Sequence, residues 1–124
     1  MSFDLGVWDP DVGNKADQAR DIYIRLCEAK LTPAGESPSV NSFYEELTKR
    51  WPEIDTVPDE KVDDVDFCPW SCALDRSGKH VIISCVWSKA DEVARFVEQL
   101  ATRNGLVLFN PQTDEVKLAN RLKS

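Results

Sequence analysis

The amino-acid sequence predicts an α+β fold: an antiparallel or mixed sheet with helices packed on one face, in the order βααββαββ. Three observations carry this expectation. Val40, Phe43, Tyr44, Leu47 and Trp51 recur at i, i+3, i+4, i+7 and i+11, the spacing of one helix face. Val81 to Trp87 is nearly continuous apolar sequence, as expected of a strand in mid-sheet. Phe3, Leu5 and Val7 alternate with Asp4, Gly6 and Trp8, the period of a strand with one apolar face.

Taken in order, the first strand is broken by Asp9-Pro10-Asp11. A helix capped at or beside Asn14 follows, with Asp17 in its first turn and Ala19, Ile22, Tyr23, Leu26, Cys27 and Lys30 along one side. It is expected to run until just before Pro33, where a loop with two prolines and a glycine begins. Ser39 or Asn41 is expected to start the second helix, and Pro52 to end it. Phe67 to Ala73 reads as a strand start, Asp75-Arg76-Ser77-Gly78 as a turn and Val81 to Trp87 as the next strand. Ser88 and Asp91 resemble a capping box for a third helix that turns Ala90, Val93, Val97, Leu100 and Ala101 inward. Asn104-Gly105 closes it in the manner of a glycine cap. Leu106 to Phe109 and Glu115 to Leu118 are the last two strands, joined by the turn at Asn110 to Asp114.

The chain has 124 residues, and a single domain over 1–124 is expected. That length buries a core without metals or disulfides. No run of 18 apolar residues occurs, and Asp4 falls where a secretory leader needs its apolar stretch. A soluble cytoplasmic protein is therefore expected, with Cys27, Cys68, Cys72 and Cys85 reduced.

The net charge of −7 is distributed unevenly. Between Pro52 and Asp66 stand seven acids (Glu53, Asp55, Asp59, Glu60, Asp63, Asp64, Asp66) and one base, Lys61, a balance of −6. This segment, 52–66, has no 3.6-residue period and reads as an acidic loop. The one local basic excess is the tail over 117–124, with Lys117, Arg121 and Lys123. Scattered bases and an acidic surface argue against nucleic acid and anionic membrane as partners, and favour basic proteins.

Motifs for chemistry are sparse. Cys68 and Cys72 are spaced C-x-x-x-C, one residue longer than a redox or zinc pair, and lie roughly 13 Å apart on an extended strand. His80, the one histidine, follows a turn, where a solvated ring is the ordinary outcome; no Gly-x-Ser-x-Gly elbow accompanies it. The acidic segment has no glycine and lacks calcium-loop spacing. No glycine-rich phosphate loop is present. No catalytic residue, metal or cofactor is expected.

Trp8, beside Asp9 and Asp11, and Trp70, just after Asp66, combine an aromatic with neighbouring carboxylates. Exposed, they would anchor a basic partner while Asp59, Glu60, Asp63, Asp64, Asp66 and Asp11 steer it. The alternative is that both indoles are buried with their N–H groups bonded to backbone.

The stretches MSFDLGVWDP, RWPEI, CPW, VWSKADEV and NGLVLFNPQTDEV together resemble a family of small uncharacterised bacterial proteins with starts like DLxVW and ends like GLVxxDPQ. Asn110 stands where that pattern has aspartate. In type, though not in motif, the chain is similar to the immunity proteins of bacterial toxin systems. That likeness implies a cytoplasmic, non-enzymatic antitoxin, monomer or small oligomer, that neutralises a basic cognate toxin by direct binding. A small-molecule or regulatory binding domain with a pocket between helix and sheet is the alternative; an enzyme using loop carboxylates is a third.

Overall fold

The computed structural model describes residues 2–61 and 64–118. The fold is α+β: five antiparallel strands and three α-helices, in the succession β1 (Phe3–Trp8), α1 (Ala19–Cys27), α2 (Pro38–Arg50), β2 (Asp75–Arg76), β3 (His80–Cys85), α3 (Ala90–Arg103), β4 (Val107–Asn110) and β5 (Glu115–Lys117). The sheet order is β2-β3-β1-β4-β5. Strand β1 is central, registered on β3 from Phe3 opposite Cys85 to Trp8 opposite His80, and on β4 at Gly6 to Trp8. Strands β3 and β4 flank it in the same direction, so α3 crosses over β1 between them, a split βαβ arrangement.

The helices cover both faces of the sheet, not one. Phe3, Leu5 and Val7 of β1 join Val81, Ile83 and Cys85 of β3 and Leu108 of β4 in a core closed by α2 and α3. On the opposite face Trp8, Ile82, Val107 and Phe109 pack with Ala19, Ile22 and Leu26 of α1. The physical reason is that β1, β3 and β4 each place apolar residues of both parities, Val7 and Trp8, Ile82 and Ile83, Leu108 and Phe109, and a strand of that kind needs cover on each side. Gly6 lets α1 come close: a β-carbon there would lie 2.8 Å from Tyr23 Cδ1.

Several local boundaries differ from the sequence reading, each for an identifiable reason. Helix α1 stops at Cys27 rather than near Pro33. Ala29 takes φ 58°, and its N–H and that of Lys30 bond to Leu26 O and Arg25 O, a Schellman termination built on alanine. Helix α2 starts at Pro38 because Ser37 is the cap: its Oγ accepts from Val40 N–H at 3.2 Å, with proline in the first turn. Ser88 caps nothing, since Trp87–Lys89 is a 3₁₀ turn leading straight into α3. At the other end of α3, Gly105 (φ 67°) provides the expected glycine stop. The strand expected at Phe67 to Ala73 is reduced to one bridge, Trp70 opposite Cys85; pairing with β3 resumes at Asp75 and Arg76 after a break.

The end of the sheet where β1 finishes is locked by buried polar groups. Ser37 Oγ donates to Asp9 Oδ2 at 2.6 Å, Ser37 N–H donates to Gly78 O at 2.8 Å, and Asp9 N–H donates to Lys79 O at 3.0 Å. Ser37 and Asp9 are both buried. A β-carbon at Gly78 would overlap the carbonyl oxygen of Gly35, so the β2–β3 turn needs glycine there. Ser37→Ala removes both a helix cap and a donor to a buried carboxylate. The expected loss in urea unfolding is about 1–3 kcal/mol.

Candidate functional site

Proline and charge keep the segment after α2 from forming a strand or long helix. It folds instead as two single 3₁₀ turns, Ile54–Thr56 and Asp59–Lys61. Glu53 is structural, accepting from Tyr44 O–H at 2.6 Å and from Leu74 N–H at 3.1 Å. Asp55, Asp59, Glu60, Asp64 and Asp66 are exposed. Asp63 lies outside the described residues. Among the described residues, Asp59, Glu60 and Asp64 form no ion pair. The Asp64 carboxylate accepts the backbone N–H of Asp66, and the Lys61 ammonium lies 5.4 Å from the Phe67 ring centre.

Asp66 is anchored rather than free. It pairs with Lys89, which also reaches Glu92 at 3.1 Å, and Glu92 pairs with Arg50 at 2.8 Å. The Lys89 hydrogen bond and charge hold the Asp66 carboxyl below its usual range. The acidic segment is thus pinned to the turn Trp87–Lys89, reinforced by Val86 N–H donating to Pro69 O at 2.8 Å.

Both tryptophans expected as surface anchors are buried. Trp70 is 3% exposed, stacks edge-on against Trp51 at 5.8 Å and donates its Nε1–H to Trp51 O, the carbonyl just past the end of α2. Trp8 is fully buried, packs on Phe109 and donates Nε1–H to Gly13 O at 2.9 Å. Neither indole presents a surface to a partner in this fold. Asp11 is exposed but lies just past the C-terminal end of β1, roughly 17 Å of strand from its start. The exposed tryptophan is Trp87, at 49%, set edge-to-face on Phe3 at 5.3 Å. In the sequence Trp87 reads only as the end of an apolar strand. The signal that could have resolved it is the start of the α3 pattern at Ala90, which ends the strand before Trp87.

His80 is buried, not solvated. Its Nδ1 is 2.6 Å from Ser77 Oγ, which also accepts Lys79 N–H, and its Nε2 is buried with no hydrogen-bond partner among the described residues. This geometry ties His80 into the turn at Ser77. Cys68 and Cys85 are buried and Cys27 and Cys72 exposed; among the described residues, no group of three potential metal ligands assembles. No helix of the described residues is long and apolar enough to cross a membrane. Two surface hollows flank the sheet. One, of about 510 Å³, is bordered by Leu5, Ala94, Glu98, Leu108 and Lys117; the other, of about 480 Å³, by Ser2, Asp4, Tyr23, Trp87, Pro111 and Gln112.

Compared with family models, curated proteins and solved structures, the chain matches none.

Two outcomes follow from the buried groups. Trp70→Ala is expected to cost about 3–5 kcal/mol in urea unfolding, because it empties a core site and strips the Trp51 carbonyl of its donor. Burial pushes the His80 pKa below its ordinary 6.5, with Asp75 opposing. The unfolded chain therefore protonates first as pH falls. Stability is full above pH 6.5, declines as pH drops from there toward the folded value, and loses no more to His80 below it. In His80→Asn, stability measured by denaturant titration at each pH should lack that component.

Proposed function

We propose that this chain is a non-enzymatic binding protein that docks a basic protein on the acidic face formed by Asp59, Glu60, Asp64 and Asp66. The observation that carries the reading is that Asp59, Glu60 and Asp64 stand exposed and without cationic partners among the described residues, while Asp66 fixes the segment against α3. Elsewhere on the described surface several acids are paired with bases, as in Arg20 with Asp114 and Arg103 with Glu46. In its finer form the reading is that of a cytoplasmic immunity-type protein, with the basic partner as its cognate toxin. Exposed carboxylates act mainly on encounter, each contributing about 0–1 kcal/mol to affinity. The acidic face accordingly accounts for steering and register, and the bulk of the affinity has to come from an apolar contact beside it.

The test uses the whole protein as bait in extract of its native host, at about 0.05 M and about 0.5 M salt, where screening lengths differ roughly threefold. A variant carrying Asp59→Asn, Glu60→Gln, Asp64→Asn and Asp66→Asn serves as comparison. The expected result is one basic protein retained at low salt, lost at high salt, and bound at least about tenfold more weakly by the variant. Co-expression should also relieve any toxicity of that protein. Equal retention by the variant at both salts would rule the reading out.

A further inference from the structure

We propose that the hollow beneath Trp87 is a guanidinium site that receives an arginine side chain of the basic partner. Five residues build it. Trp87 presents half its surface to solvent at the rim. Tyr23 sits close over Gly6 and borders the hollow, adding a second aromatic side chain. Asp4 supplies the anion: its Oδ1 accepts Ser2 O–H at 2.7 Å, and among the described residues its carboxylate forms no ion pair. Gln112 fixes the floor, taking Asp4 N–H on Oε1 at 2.8 Å and giving Nε2–H to Asp4 O at 2.7 Å. Pro111 closes the side.

A planar cation suits this combination better than a point charge. A guanidinium stacks on an indole or phenol face while its edge donates two parallel N–H bonds to a carboxylate. The same face of the sheet already holds one such contact: Arg20 lies 5.6 Å from the Phe109 ring centre. Arg20 does not fill the hollow, because Asp114 and the Pro111 carbonyl hold it at 2.8 and 3.2 Å. Burial, Cys27 and Asp4 all push the Tyr23 phenol upward, with Arg20 only partly opposing them.

Position links the hollow to the acidic face. Trp87 stands two residues before Lys89, the residue to which Asp66 is tied. A basic protein steered onto the acidic segment therefore meets the hollow on the other side of the same turn. The inference rests on the docking reading only for the source of the guanidinium; the site itself is testable alone.

The experiment follows the tryptophan indole N–H signals of the ¹⁵N-labelled protein by NMR, with Trp87 assigned from a Trp87→Leu spectrum. The probe is N-acetyl-arginine amide, and the control is the neutral isostere N-acetyl-citrulline amide. The expected result is a saturable shift of the Trp87 signal with the arginine probe, on the order of millimolar affinity for a lone exposed cation–π and carboxylate contact. Citrulline should leave the signal in place, and Asp4→Asn should weaken the arginine effect at least about fivefold. No saturable shift, an equal response to citrulline, or full binding by Asp4→Asn would each overturn the site. The two readings fail separately. If the four-acid variant loses the basic protein while arginine leaves Trp87 unmoved, docking stands and the guanidinium site falls. If arginine binds as stated while that variant still captures the basic protein, the site stands and acidic docking falls.

Discussion

The hydrogen bond from Ser37 to Asp9 is the contact on which the arrangement of the other elements turns. Asp9 ends the central strand, and Ser37 begins α2. The same serine takes part in two further bonds, one capping α2 and one to the carbonyl of Gly78 in the β2–β3 turn. One buried pair thus fixes where a helix starts, where the central strand stops and where a hairpin folds back. Buried polar groups are tolerated when they are satisfied, and a satisfied network specifies one geometry where apolar packing alone would allow several. This end of the sheet is consequently committed to structure. The opposite end, where β1 begins and β3 finishes, is where carboxylates and an indole stay open to water.

Much of the fold was legible because periodicity reports burial directly. The α2 stripe, the inward face of α3, the glycine stop at Gly105 and the interior position of β3 all follow from local patterns. The second helical layer was harder to see for a specific reason. Trp8 and Gly6 sit at the even positions of β1, which a one-faced reading assigns to solvent, yet Trp8 is core and Gly6 is the groove for Tyr23. The near-continuous apolar run of β3 already implied cover on both sides, and Ile82 meets that requirement by packing with α1. The end of α1 was invisible because an alanine, not a glycine, takes the left-handed position.

The candidate site was legible in charge and not in its aromatic partner. A run of acids with two prolines reads as exposed loop, and the described acids other than Glu53 are exposed. The burial of Trp70 rests on a contact with Trp51, nineteen residues earlier, which no local pattern encodes. Likewise the indole of Trp8 depends on Gly13 and Phe109, one from the following loop and one from the other end of the chain. Adjacency in sequence suggested that acids and tryptophans would share a surface. Adjacency in space instead puts Trp87 in the turn whose Lys89 pairs with Asp66.

Exposed carboxylates cannot hold a partner by themselves, since each gains little in water and salt screens it within about 10 Å. Tight association needs a group that leaves water on binding, and aromatic side chains dominate such positions. With Trp8, Trp51 and Trp70 all within the core, Trp87 is the tryptophan that still has surface to lose. Its location follows from chain geometry. The strand ends at Cys85, a 3₁₀ turn carries residue 87 outward, and Phe3 supports the indole edge-on from below. That support keeps the ring in place without covering it. The turn that carries Trp87 also carries Lys89, which holds Asp66. Under the docking proposed above, steering charge and apolar contact would meet at this one turn.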